Sequence, residues 1–378
     1  MIGDADVLAA VEARLDVLRA AVRFVHEHPE LGHEEHECAA FLCDTLAAGG
    51  LAVERGVAGL QTAFRASFRA GRAGRSVGIV CLFDAVPTVR ADGRVEPVHS
   101  CGHGPIAGGV TAAALALADL RDDLAGKVVV VGCPADEIHT PLGAERGGGK
   151  ALTAEAGLWD ALDAALYAHP EFIDTVSLAS RWMRRDRATV FGARSLTGAQ
   201  QAPLDSAAAA IELARAQLDD RVMLERLVLD GDVEEGTGLA LRATFLLFAD
   251  DEAGVGRQAA ALREALPGAS WEHGGIVAGV RPDARVTAAV ADAFRAAGRS
   301  FVADPPALPF ATDFGNVSRR VPSALVGVGR EGGWSFHTDE GAAQFASEAG
   351  EEAAVAIARV LALAAVRLTE PTPQCGLS

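Results

Sequence analysis

Three short segments gather side chains able to hold a metal ion or move a proton. Phe83-Asp84-Ala85-Val86-Pro87 carries a carboxylate. His99-Ser100-Cys101-Gly102-His103-Gly104 places a thiol between imidazoles, and Cys133-Pro134-Ala135-Asp136-Glu137 ends in two carboxylates. Further along, His169 stands in Tyr-Ala-His-Pro and His337 in Ser-Phe-His-Thr. Thiolate, imidazole and carboxylate together are the donor set of a borderline divalent metal such as zinc. Singly, each residue has an ordinary structural reading. A loop histidine is usually a surface or hydrogen-bonded residue, a Cys-x-His pair is too few ligands for a site, and Asp136-Glu137 would suit the first turn of a helix. What favours a site is their placement after the ends of predicted strands, where open α/β sheets bind ligands.

Other motifs do not survive the same scrutiny. His26, His28, His33 and His36 cluster at the break between N-terminal helices and read as solvated helix faces. Gly147-Gly148-Gly149-Lys150 lacks the first glycine and the Ser/Thr of a phosphate loop, those positions being Ala144 and Ala151. Thr312-Asp313-Phe314-Gly315 contains a kinase-like triplet with no glycine-rich or catalytic loop to support it.

The elements that must position the chemistry read as a doubly wound α/β sheet. Two short β-branched runs, 76–83 and 127–133, have the all-apolar character of strands covered on both faces. The Ala/Leu-rich stretch 105–120 between them reads as a crossover helix, so the two strands are expected to be parallel. Upstream, Leu8, Val11, Leu15, Leu18 and Val22 form one apolar stripe. Pro29 and Gly32 interrupt it, and Ala39, Phe41, Leu42 and Leu46 resume it, which predicts two helices. From 187 to 280 a separate order appears: strand 188–192, helix 204–218, two strands with a turn near 234–238 (the clearer one at 239–248), helix 254–266 and strand 270–277. This β-α-β-β-α-β series predicts a compact α+β domain. Beyond Pro282, helix 284–297, strand 323–327 and helix 342–365 return to the α/β pattern. The chain therefore reads as a catalytic α/β domain in two parts, 1–186 and 281–378, with a βαββαβ domain inserted at 187–280. No internal repeat is visible, and the last eight residues read as a frayed tail.

Composition narrows the class. The 378 residues carry a formal charge of −17, which argues against nucleic acid or an anionic membrane as partner. No uncharged apolar run reaches the roughly 18 residues of a membrane-spanning helix. The N-terminus is acidic and amphipathic where a secretory signal would be basic and then apolar, so a cytoplasmic location is expected. Six cysteines are too few for a disulfide scaffold, and most are expected to be small buried hydrophobes.

With these residues in view, the chain resembles the M20 metallopeptidase/amidohydrolase family. Within it, the match is to the Cys-containing aminoacylase and carboxypeptidase branch, with its aminobenzoyl-glutamate hydrolases and β-alanyl-lysine-type dipeptidases. The resemblance runs nearly end to end, through His28-Pro29-Glu30-Leu31-Gly32, Thr62-Ala63-Phe64-Arg65, Phe83–Pro87, His99–His103, Gly132–Glu137, Gly148-Gly149-Lys150, Ala168-His169-Pro170, Thr312–Ser318 and His337-Thr338. It implies an α/β domain with an inserted lid that often dimerises, so a homodimer through the lid is the expected self-partner. It also implies one or two divalent metals, zinc foremost and manganese or cobalt as alternatives, held by Cys101, His103, Glu137, His169 and His337. In the family the metal-bound water is the nucleophile, and Asp136 occupies the slot of the glutamate that takes its proton and passes it to the leaving amine. Asp84 would orient a ligand from behind.

Four positions depart from the family pattern. The base is Asp136, one methylene shorter than glutamate; Leu82 stands where an acidic residue is expected; Gly104 replaces Asp or Asn; and Leu196 replaces a lid histidine that stabilises the oxyanion. Removing one such donor costs on the order of 10² to 10³ in rate. The resemblance thus implies hydrolysis of an amide in a small N-acyl amino acid or dipeptide-like substrate. The alternative is the same fold repurposed for lyase, isomerase or condensation chemistry. A non-catalytic scaffold is disfavoured, because it has no physical need for a Cys/His/Glu cage.

Overall fold

In chain order, helices α1 (Asp4–Glu12), α2 (Leu15–Glu27) and α3 (His36–Ala48) lead into strands β1 (Ala52–Arg55), β2 (Phe64–Arg69) and β3 (Arg72–Cys81). A hairpin follows, β4 (Val86–Val89) with β5 (Val95–Val98), then α4 (His103–Asp119), β6 (Ala125–Gly132), α5 (Pro141–Arg146), α6 (Gly149–Glu155) and β7 (Ala164–Glu171). Next come β8 (Trp182–Phe191), α7 (Gln201–Ala216), β9 (Val222–Asp230), β10 (Ala240–Ala249), α8 (Glu252–Ala265) and β11 (Ser270–Val277). The chain closes with α9 (Ala284–Ala296), α10 (Phe314–Ser318), β12 (Ser323–Gly329), α11 (Asp339–Phe345) and α12 (Glu348–Thr369). The structure is a computed structural model that describes residues 2–191, 201–216, 221–231 and 239–371.

Two units result. The first comprises Met1–Ala179, Val280–Pro306 and Asn316–Ser378; the second comprises Ser180–Gly279 with Ala307–Gly315. The first is built on a six-stranded sheet in the order β1-β2-β6-β3-β7-β12. Strands β6, β3, β7 and β12 are parallel, and β2 and β1 extend the sheet antiparallel. The apolar runs make this arrangement: Val77–Cys81 and Val128–Gly132 are buried and pair in register, Ile79 opposite Val130. Every residue of α4 from His103 to Ala118 is buried, as is most of α12, and the two helices pack on each other and on β3. Burial on this scale stabilises at roughly 25 cal/mol per Å² of apolar surface.

The second unit has the order β8-α7-β9-β10-α8-β11, an antiparallel sheet arranged β11-β8-β10-β9. Phe245, Leu247, Val255 and Leu262 lie in its core. This is the βαββαβ series read from the sequence. The turn near 234–238, the substituted position Leu196 and nearly all of the C-terminal tail lie outside the described residues.

Several elements differ from expectation for visible reasons. The N-terminal stripe forms two helices, not one, because the chain turns at Ala13–Arg14 and lets Arg14 Nε reach Asp119 Oδ2 at 2.7 Å. The last helix is likewise two, since Ser347 begins a new one and its hydroxyl accepts from the Ala349 N–H. Strand β8 starts six residues before the expected 188, because its charged residues are paired: Arg184 with Asp186, and Arg185 with Glu225. Hairpin β4–β5 carries Pro87 opposite Pro97, and proline hides a strand from pattern reading. Among the described residues, no helix is long and apolar enough to cross a membrane.

Candidate metal centre

Parallel strands deliver the expected residues to one edge of the sheet. Asp84 lies just past the end of β3, Asp136 and Glu137 past β6, His169 near the end of β7 and His337 past β12. Cys101 and His103 stand where the loop after β5 enters α4. That entry turns at Gly102 in the left-handed region (φ 87°), where a Cβ would meet Pro170 Cγ at 2.7 Å. His337 also has φ 59°, and its N–H donates to Ser100 O at 2.9 Å. A left-handed non-glycine residue is held by its surroundings, and here those surroundings include the Cys101 loop.

The donor atoms converge on sulfur. Cys101 Sγ lies 3.7 Å from His169 Nε2 and 3.3 Å from His337 Nε2, and His337 Nε2 is 3.3 Å from Glu137 Oε1. Two overlapping trios form, Cys101–His103–His169 and Cys101–Glu137–His337. Within each, the donor atoms lie within 4.8 Å of one another.

The imidazoles are aimed by their far nitrogens. His103 Nδ1 donates to Asp84 O at 2.7 Å, and His169 Nδ1 donates to Pro170 O at 2.6 Å. A carbonyl only accepts, so each Nδ1 carries a proton and Nε2 is the atom turned to the cluster. Among the described residues, buried His103 Nε2 has no hydrogen-bond partner, the condition of an atom waiting for a ligand bond. Donor chemistry and this orphaned nitrogen both fit a divalent metal. Asp84 is buried and spans two loops: Oδ1 lies 3.0 Å from His103 Nδ1, and Oδ2 accepts from the Glu137 N–H at 2.8 Å.

The electrostatics favour charged donors. Burial and Glu137 oppose ionisation of Cys101, but the His103, His169 and His337 imidazoles around the sulfur outweigh them and bring the thiol down to about 7. Hydrogen bonds to Cys101 and then Glu137 lift His337 to about 10. Burial works against Glu137, yet the hydrogen bond with His337 leaves its carboxyl below the ordinary value. Burial likewise opposes Asp136, but Lys150, helped by His103, holds it well below the usual carboxylate range.

Asp136 and Glu137 begin no helix; they lie in an irregular loop. Asp136 Oδ1 accepts from the Lys150 ammonium, and its Oδ2 lies 3.5 Å from His103 Nε2. Just before it, Ala135 has φ 55°, and its N–H donates to Glu35 Oε1 at 2.8 Å. Glu35 is fully buried, accepting also from the His33 N–H at 2.9 Å and from the Thr62 hydroxyl at 2.7 Å.

Sequence reading assigned no role to Glu35 or Lys150. The only signal was for the lysine, which lies in the family-like Gly148-Gly149-Lys150. His33 corrects the expectation of a solvated helix face: it is buried, with Nε2 donating to Gly147 O at 2.9 Å. Among the described residues, none of His26, His28, His33 and His36 joins a metal-type cluster. Gly104 has a local reason, since a Cβ there would lie 3.3 Å from Val22 O. Leu82 is fully buried.

Comparison with known proteins fits this geometry. The chain is 34% identical over 174 residues to a Xaa-Arg dipeptidase of Mus musculus, covering 42% of this chain and 36% of that protein. It is 34% identical over 158 residues to one component of the p-aminobenzoyl-glutamate hydrolase of Escherichia coli, covering 39% and 31%. The chain thus matches about a third of the length of these curated relatives. In fold it is similar to a dinuclear metal-binding M20 peptidase of Bacillus subtilis, with a TM-score of 0.69 at 20% identity over 94% of this chain and 98% of the other. An aminobenzoyl-glutamate utilization protein of Klebsiella pneumoniae gives a TM-score of 0.69 at 16% identity, over 95% and 98%. The model of Peptidase family M20/M25/M40 matches residues 83–365, a span that contains every donor described above, and the chain belongs to that family.

Proposed function

We propose that the protein is a metal-dependent amidohydrolase acting on a small N-acyl amino acid or dipeptide-like substrate. The observation that carries this reading is the convergence of Cys101, His103, Glu137, His169 and His337 into two trios sharing one sulfur, with a carboxylate, Asp136, beside them. In this reading the trios hold up to two divalent ions, zinc foremost because of the thiolate. A bound metal supplies Lewis-acid polarisation of the scissile carbonyl and acidifies the attacking water.

The chain's own residues do the rest. Asp84 and the Pro170 carbonyl fix the tautomers of His103 and His169, so both present Nε2 to the centre. Asp136 Oδ2 takes the proton of the attacking water and returns it to the departing amine nitrogen, a transfer worth about 10² to 10⁴ in rate. The homodimer through the inserted unit belongs to the same proposal. The test is a panel of N-acyl amino acids and dipeptides assayed with protein purified without chelator. Cleavage abolished by chelation and restored by zinc, manganese or cobalt is expected. A blank panel with metal still bound would sink the hydrolase reading in favour of repurposed chemistry.

A further inference from the structure

We infer that Lys150 is the positioning residue for the base: its ammonium binds Oδ1 of Asp136 and leaves Oδ2 as the oxygen presented to the metal centre. The inference rests on Asp136 acting as base. Lys150 is fully buried, and its ammonium has the Asp136 carboxylate on one side and the Tyr167 ring 5.2 Å away on another. A buried ammonium is kept only where a charged partner meets it, and Asp136 is such a partner, so this lysine is not a surface cation. Its approach is built into the backbone. The N–H of Gly149 donates to Pro134 O at 2.9 Å, docking the start of α6 directly on the loop that carries Asp136. A Cβ at Gly149 would lie 2.1 Å from that same oxygen, so only glycine allows the contact. Asp136 is too short to be aimed by packing along its own stem. With one oxygen tethered, the other is left 3.5 Å from His103 Nε2. Asp136 and the buried lysine therefore work as one unit.

The test joins kinetics to a readout that needs no turnover. Lys150→Met should lower kcat by about 10² while KM stays within about threefold and metal content is unchanged, because only aim is lost. In Lys150→Ala, ethylammonium should restore at least part of kcat, whereas sodium at equal ionic strength should not. Independently, ¹⁵N NMR of the full-length, metal-loaded protein should show a protected Lys150 ammonium signal that is lost in Asp136→Asn. Wild-type kcat in Lys150→Met, or an ammonium signal unchanged by Asp136→Asn, would overturn the inference. If the amide panel is blank while the signal is lost in Asp136→Asn, the hydrolase reading fails and the tether stands. If Lys150→Met does not fold, the ethylammonium response and the NMR comparison decide.

Discussion

Two of the segments that bring donor atoms to the centre are held in different ways. The loop at 99–103 runs straight into α4, whose residues are buried from His103 to Ala118, so apolar packing holds the backbone that carries His103, and Asp84 aims its ring. The loop at 133–137 is gripped by ionisable side chains: Glu35 at Ala135, Lys150 at Asp136 and Asp84 at the Glu137 N–H. Close packing supplies the rigidity that metal donors need, and hydrogen bonds at the far ring nitrogens aim the imidazoles. A group that moves a proton must also be aimed through particular atoms, and only directional polar contacts do that.

The comparison is sharpest at Asp136. Asp136→Ala should reduce amide cleavage by on the order of 10³ with metal content near wild type, and should also lower Tm because buried Lys150 loses this carboxylate, measured by steady-state kinetics, elemental analysis and thermal melts. Activity within tenfold of wild type would show that the polar loop does not carry the base. The apolar loop should respond in the opposite currency. Leu117, fully buried in α4, should cost about 3 kcal/mol in denaturant unfolding when changed to Ala, with kcat per bound metal preserved. A large fall in kcat without loss of stability would erase the distinction between the loops.

A smaller effect is expected from pH. Burial and the neighbouring Asp84 push Glu35 up to about 8 from its ordinary 4.5. A carboxyl protonated more readily in the folded chain stabilises the fold at low pH, and that contribution is lost as pH rises through about 8. Glu35→Gln keeps an oxygen to accept from the His33 and Ala135 N–H groups and removes the ionisation. The Tm of wild type should therefore fall relative to the variant between about pH 5 and pH 9. Parallel curves would contradict the burial argument.

These two loops also mark what the sequence could disclose. Cys101, His103, Glu137, His169 and His337 were visible because Cys, His and paired carboxylates after apolar strands are a conspicuous donor set. The βαββαβ order was visible because helix and strand periodicities alternate cleanly there. Glu35 and Lys150 were not. Glu35 sits in a charged stretch that reads as solvated, and its partner Ala135 is 100 residues away. Lys150 looks like a failed phosphate loop until α6 docks on Pro134. Strand β8 was read short for the same reason, because Arg184 and Arg185 look exposed until Asp186 and Glu225 are folded against them. Residues defined by a partner that only folding brings into contact carry no local pattern.

The central claim is that one sulfur joins two metal-binding trios, and the direct measurement is metal content by mass spectrometry of protein purified without chelator. Wild type should hold up to two divalent ions per chain, and Cys101→Ala should lose metal from both trios because Cys101 belongs to each. An unchanged stoichiometry in Cys101→Ala would contradict the account.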